Sequence, residues 1–281
     1  MEPKKIMIIE NAIKLFAKKG FSATSVQEIA KECDISKGAF YLHFKSKDEL
    51  LFQVLMYYWN RMQRKVNEVA TEPMSPKEKF TYQLKVFMEE IADHREFIIM
   101  QFREQAIPFN ESIEELIRKM RFNSYLFYKN HLLAIYGKEC EPYVWEASLA
   151  VQSLMKNYID LIILDNIEFD YLEVASAVTR KTDYLMTGFS ESSDQPVITE
   201  EVIEQIMPEG FNLHDLEEIK NVLTLILEKE SDENLIDTAT ILLDELARTS
   251  PRQAVIKGMA SNLDKYDRYL DFASRLRNYF L

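Results

Sequence analysis

Residues 25–50 read Ser-Val-Gln-Glu-Ile-Ala-Lys-Glu-Cys-Asp-Ile-Ser-Lys-Gly-Ala-Phe-Tyr-Leu-His-Phe-Lys-Ser-Lys-Asp-Glu-Leu. Ser25 followed three positions on by Glu28 is a capping box, which opens a short helix with Val26, Ile29 and Ala30 turned inward. Cys33, Asp34 and Ile35 are few enough to form a turn, and Ser36 can cap a further helix running to Phe44. Ser46 and Glu49 make a second capping box, so a fourth helix starts near residue 47 and continues toward Val69. Upstream, residues 4–19 put Ile9, Ala12, Ile13 and Phe16 on one helical face. That helix ends with Lys18 and Lys19 ahead of Gly20, where cations oppose its negative end. Two short helices joined by a tight turn, the second rich in groups that donate to phosphate, form a helix-turn-helix whose second member fits the major groove.

From residue 9 to 51 the chain reads I-x-x-A-x-x-L-F-x-x-x-G-F-x-x-T-S-V-x-x-I-A, then I-S-K-G-x-F-Y-x-H-F-x-S-K-x-x-L-L. This pattern resembles the TetR family of transcriptional regulators, and the resemblance covers the whole head. It implies that Ile29, Phe40, Phe44 and Leu50 are core, and that Lys47 is the family's backbone-clamping lysine. Chemistry gives the other members compatible roles. Gly38 removes a side chain so that backbone can approach DNA, and Lys37 can reach a base edge or a phosphate. Tyr41 and His43 can hydrogen-bond phosphate oxygens, or else pack between helices. Thr24, Ser25 and Ser36 stand at helix N-termini, which attract anions, and Ala39 is a candidate for a base contact.

Composition fits this head and excludes other classes. The 281 residues carry 34 Lys+Arg and 46 Asp+Glu, a net charge of −12, with 47% hydrophobic side chains, an ordinary globular balance. Charge is divided unevenly: residues 1–66 hold 12 basic and 7 acidic side chains, and the remainder 22 and 39. The basic head is the part suited to a polyanion. Six glycines occur, none as G-x-G, so Gly-rich phosphate loops have no material. Cys33 and Cys140 form no C-x-x-C, which supports neither a disulfide framework nor a zinc cluster. The four histidines, His43, His94, His131 and His214, are dispersed, with no H-E-x-x-H and no G-x-S-x-G. We therefore expect no enzyme activity, no catalytic residue, no metal and no cofactor. No signal peptide and no run of 18 apolar residues is found, so the expected location is the cytoplasm, at the nucleoid, without membrane insertion.

The eight prolines fall where apolar periodicity stops, and the stretches between them repeat every three to four residues, an all-α pattern. We divide the chain into a helix-turn-helix domain (1–66), a helical ligand-binding and dimerisation domain (67–189), and an accessory acidic helical region (190–281). In the middle domain Phe87, Met100, Phe102 and Phe127 are core or line an apolar cavity, with Gln101, Arg103, Gln105, His131 and Asn157 as polar groups that orient a ligand. The family resemblance favours the cavity and a small hydrophobic effector. Helices over 143–165 and 168–187 are apolar on more than one face and need a second cover. The resemblance supplies it as a homodimeric four-helix bundle; the C-terminal region is the alternative cover.

Beyond Ser190–Pro196, a polar linker, Leu216, Ile219, Leu223, Ile226 and Leu227 mark one helix, and Leu235, Ala239, Leu242 and Leu246 another. A last helix starts at Ser250 and Pro251. This region has 19 acidic and 9 basic side chains, which argues against a second DNA surface. The expected function is a dimeric repressor that binds a palindromic double-stranded operator and is released by a small hydrophobic molecule. The alternative is a DNA-bound regulator whose acidic C-terminal region recruits a protein partner without small-molecule control.

Overall fold

The computed structural model describes residues 2–70, 72–103, 110–192, 194–207, 213–248, 251–270, 272–273 and 276–277, with the side chains of 101–103 and 213–218 excepted. Among the described residues every regular element is helical: α1 (Pro3–Lys19), α2 (Val26–Glu32), α3 (Lys37–His43), α4 (Lys47–Ala70), α5 (Pro76–Asp93), α6 (Arg95–Arg103), α7 (Glu111–Tyr136), α8 (Val144–Ile163), α9 (Tyr171–Glu191), α10 (Glu200–Glu204), α11 (Leu213–Lys229), α12 (Glu233–Leu246) and α13 (Gln253–Leu263). The all-α expectation holds. Two 3-10 turns, Lys138–Tyr143 and Asp267–Tyr269, complete the set. None of these helices is long and apolar enough to cross a membrane.

The chain forms two compact units, one of residues 1–66, 80–117 and 153–181, the other of 67–79, 118–152 and 182–281. In the first, α1 starts on Pro3, whose missing N–H costs nothing at that position, and stops at Gly20, whose φ of 88° favours glycine. Ile8, Ile9, Ala12, Ile13 and Phe16 of α1 are buried together with Ile29, Ala30, Phe40, Phe44 and Leu50. The other face of α1 packs on α6. Arg61 on α4 donates to Glu90 on α5 at 2.8 Å, and Gln83 Nε2 donates to Val66 O at 2.8 Å. The Thr81 and Thr179 hydroxyls, 2.9 Å apart, tie α5 to α9, and Arg95 reaches Ile163 O at 2.6 Å and the Asn166 side chain.

In the second unit Phe122, Leu132, Val144, Trp145, Ala147 and Met186 form a core that Ile203 of α10 joins. Asp183 accepts from Tyr136 at 2.8 Å and from Lys77 at 2.7 Å, linking the ends of α7, α5 and α9. Glu146 accepts the N–H of Val197 at 2.6 Å, which seats the chain leading to α10 on α8. A further core joins Ile219, Leu223 and Ile226 of α11, Leu235, Ala239, Leu242 and Leu246 of α12, and Ile256, Ala260 and Leu263 of α13. Glu245, 2% exposed, closes the α12–α13 connection by accepting Arg252 Nη2 at 2.5 Å and Arg252 N at 2.6 Å.

Element ends differ from the sequence reading where a local bond decides. Asp170 accepts the N–H groups of Leu172 and Glu173 at 2.8 and 3.0 Å, so α9 begins at Tyr171 rather than 168. It also continues to Glu191, into the stretch read as linker. Helix α10 carried no sequence signal strong enough to be named, since a single turn lacks a full apolar period.

Candidate nucleic-acid interface

The head is built on three caps. Ser25 Oγ accepts the Glu28 N–H at 3.2 Å while Glu28 Oε2 accepts the Ser25 N–H at 2.9 Å, the reciprocal pair of a capping box. Lys19 adds an ion pair to Glu28 at 2.5 Å. These bonds, the Lys19 hydrogen bond first, hold the Glu28 carboxyl down to about 2. Ser36 Oγ accepts the Ala39 N–H at 3.0 Å and opens α3. Ser46 Oγ accepts the Glu49 N–H at 3.0 Å, but Glu49 reaches back to Lys45 N at 2.6 Å, so the second box closes one residue earlier than the motif predicts. Between α2 and α3, Asp34 takes φ 52°, a left-handed conformation that Asp tolerates better than most residues, and Ile35 N–H returns to Ala30 O at 2.9 Å.

Helix α3 is anchored by Phe40, with Phe44 just past its end, and both are buried. With these two turned inward, the opposite side of the helix points away, and the structure shows Lys37 and Gly38 exposed, Tyr41 46% exposed and Leu42 85% exposed. Ser25 and Ser36 lie exposed at the adjoining helix starts, and Ala39 is half-buried. Leu42 is the member that motif reading missed. Its two-residue offset from Phe40 and Phe44 is the signal that places it outward.

A Cβ built at Gly38 would meet Ser36 Oγ at 3.7 Å, an ordinary contact. Among the described residues no neighbour requires glycine at this exposed helical position, where it costs up to about 1 kcal/mol against alanine.

Three expected contacts are placed differently. Thr24 is 1% exposed, and its hydroxyl donates to Gly20 O at 2.8 Å, so it closes the α1–α2 turn instead of facing outward. His43 has a side chain 13% exposed with Nδ1 3.9 Å from the Glu2 carboxylate, which matches the packing alternative. Lys47, expected to clamp the DNA backbone, is half-buried. Its Nζ donates to Phe21 O at 2.8 Å, Thr24 O at 2.8 Å and Ser22 O at 3.4 Å, and lies 4.4 Å from the centre of the Phe21 ring. An ammonium has three N–H donors, and here carbonyls of one turn accept all three.

Of the residues expected to hold an effector, the described side chains fall in both units. Phe87 is half-buried and Met100 buried in the first unit, while Asn157 is exposed and donates to Ser153 O at 2.9 Å. In the second unit the ring of Phe127 stands 4.6 Å from that of His131, which is fully buried. Burial alone holds the His131 imidazole down to about 3, so it is neutral. Gln105 and the side chains of Gln101, Phe102 and Arg103 lie outside the described residues.

Residues 8–54 match the family model described as bacterial regulatory proteins of the tetR family. The HTH-type transcriptional regulator YuxN of Bacillus subtilis (strain 168) is 34% identical over 99% of this chain and 97% of its own length. YerO from the same organism, another HTH-type transcriptional regulator, is 36% identical over 94% of this chain and 90% of its own. Among solved structures, the transcriptional regulator FadR from Bacillus subtilis, in complex with stearoyl-CoA, aligns with a TM-score of 0.54 at 18% identity, over 63% of this chain and 96% of that one. With its head matched residue by residue and two relatives aligned along nearly the whole length, the chain belongs to the TetR family of transcriptional regulators.

Proposed function

We propose that the protein is a homodimeric repressor that binds a near-palindromic double-stranded operator and is released by a small hydrophobic effector. The observation that carries the DNA half is the outward face of α3: Lys37, Gly38, Tyr41 and Leu42 exposed together on a helix held rigid by two caps and buried Phe40. Gly38 fits a phosphate or base edge closing on the backbone, since the neighbour it has, Ser36 Oγ, would leave a Cβ an ordinary 3.7 Å contact. Tyr41 and Ser36 supply phosphate donors, Lys37 reaches phosphate or a guanine edge, and Leu42 offers an apolar contact of the kind that recognises a thymine methyl.

The dimer reading rests on apolar side chains left at the surface around α8 and α9. Leu164 is 56% exposed, with Ile167 and Leu172 also outward. A second copy of the same helices covers such a face by two-fold symmetry. Two recognition helices are then held about one helical turn of DNA apart, and an effector that shifts this spacing by favouring the non-binding conformer lowers affinity. The stearoyl-CoA held by FadR makes a long-chain acyl thioester the first compound to try.

The test is fluorescence anisotropy with DNA taken from immediately upstream of the protein's own gene, at two salt concentrations, with acyl-CoAs and a panel of apolar compounds. Tight, salt-sensitive binding that one compound weakens by 5- to 150-fold is the expected result. Binding indifferent to every compound in a fully folded protein removes the sensor half of the proposal. It favours recruitment through the C-terminal helices, whose separate buried core and outward Leu225 and Ile241 form a surface of their own.

A further inference from the structure

We infer that the second unit holds a binding site for a small anionic amphiphile, at a place where α12 meets α7 and the α4–α5 connection. A cleft of about 520 Å³ lies there, within the range of small-molecule sites. Its charged lining is Lys79, Arg248 and Asp244, and its apolar wall includes Met74, Ala134 and Ala247.

The electrostatics select the sign of the ligand. Lys79 Nζ gives one hydrogen to Ala70 O at 2.9 Å, which leaves two of its three N–H donors for another acceptor. Arg248 approaches Glu245 through Nε at 3.3 Å. That carboxylate is already engaged on both oxygens by Arg252 Nε at 3.0 Å, so one acid serves two arginines. Counting Lys79, Arg248 and Arg252 against Glu245 and Asp244, the lining and its support carry one net positive charge. Asp244 is exposed and therefore better hydrated than the half-buried cations, which shifts the balance further toward an anion. His131, buried at the cleft, adds no charge and presents a ring to the apolar part of a ligand. One anionic head between Lys79 and Arg248, with a short hydrocarbon body along Met74, Ala134 and Ala247, matches this lining. A carboxylate and a phosphate monoester share that chemistry.

The site is separate from the outward face of α3, and its test uses no DNA, so its outcome is independent of the operator reading. Isothermal titration of the full-length protein with octanoate, octyl phosphate, 1-octanol, octylammonium and inorganic phosphate reads the inference directly. One of the two octyl anions binds at one per chain, and octanol, octylammonium and inorganic phosphate bind at least tenfold more weakly. Arg248→Gln weakens that binding tenfold or more, about 1.4 kcal/mol, and Ala134→Trp, which fills the cleft from an exposed position, abolishes it. Lys79→Gln replaces Arg248→Gln should the latter fail to fold. Absence of binding by both anions, equal binding of octanol, equal binding of inorganic phosphate, or wild-type affinity in the folded Arg248 and Ala134 variants each overturns the inference.

Discussion

Replacing Lys47 by methionine keeps most of the side chain's length and apolar stem while deleting its charge and three donors. The structure gives the ammonium two bonds of 2.8 Å and one of 3.4 Å to the carbonyls of Phe21, Thr24 and Ser22, and a place 4.4 Å from the Phe21 ring centre. Hydrogen bonds from a charged donor contribute about 1.5 to 3 kcal/mol, and a cation–π contact at a partly wet site about 0.5 kcal/mol. Water replaces part of this at a surface turn, so the local loss is about 2 kcal/mol. Opening of the α1–α2 turn then becomes about thirtyfold more frequent, which speeds amide exchange at Thr24, whose N–H bonds to Phe21 O. Operator affinity falls because the start of α2 loses its anchor, but the dependence of log K on log salt keeps its slope. The opposite pattern would refute the reasoning: unchanged exchange and melting with a slope smaller by about 0.9, the signature of one lost phosphate contact.

Four further outcomes follow from the same geometry. Gly38→Ala raises thermal stability by up to about 1 kcal/mol, measured by calorimetry, and at the same time weakens operator binding; unaltered binding would mean that nothing approaches the backbone there. Leu42→Ala leaves melting unchanged because the side chain is 85% exposed, and relaxes selectivity at a single base position in a binding-site selection, whereas a uniform loss across sequences would contradict a base contact. Burial holds the folded His131 near 3, below its unfolded value of 6.5, so the unfolded chain takes up the proton first; the stability tied to this group is whole above pH 6.5 and falls by about 2 kcal/mol at pH 5. His94 is lowered by burial too, so a folded His131→Leu variant flattens only part of that slope, and no flattening at all would count against the assignment. Arg252→Met leaves Glu245 with Arg248 and the backbone N–H of residue 252, and costs about 2 kcal/mol in denaturant unfolding of the C-terminal helices, a loss that Glu245→Gln in the same chain reduces.

The head was legible in the sequence because its determinants are local. Ser25 with Glu28, Ser36 with Ala39 and Ser46 with Glu49 bond across three positions, so spacing alone carries them. The fate of Lys47 was not legible, since its acceptors lie 23 to 26 residues away in a turn whose carbonyls point inward only after α1 and α4 have packed. Thr24 was misplaced for the same reason: a hydroxyl at a helix start looks free until the preceding turn folds over it. The C-terminal helices α11, α12 and α13 showed in their apolar period, yet the pairing of Glu245 with Arg252 did not, because it depends on a reversal of the chain between them.

The bonds of Thr24, Lys47 and His43 share a direction, and that bears on how the head works. Thr24 and Lys47, expected as DNA contacts, bond to the turn between α1 and α2, and His43 of α3 approaches Glu2 ahead of α1. What stays outward is a small set on α3, Lys37, Gly38, Tyr41 and Leu42, that makes few demands on the protein's own stability. If α3 reads bases as proposed, substitution at Leu42 or Lys37 changes sequence preference without loosening the scaffold. Lys47 stands on α4 and grips the turn that precedes α2, so on the proposed reading a displacement of α4 would reach α2 through it. Replacing Lys47 should therefore uncouple motion of α4 from the position of α2 more than it removes affinity for any one phosphate.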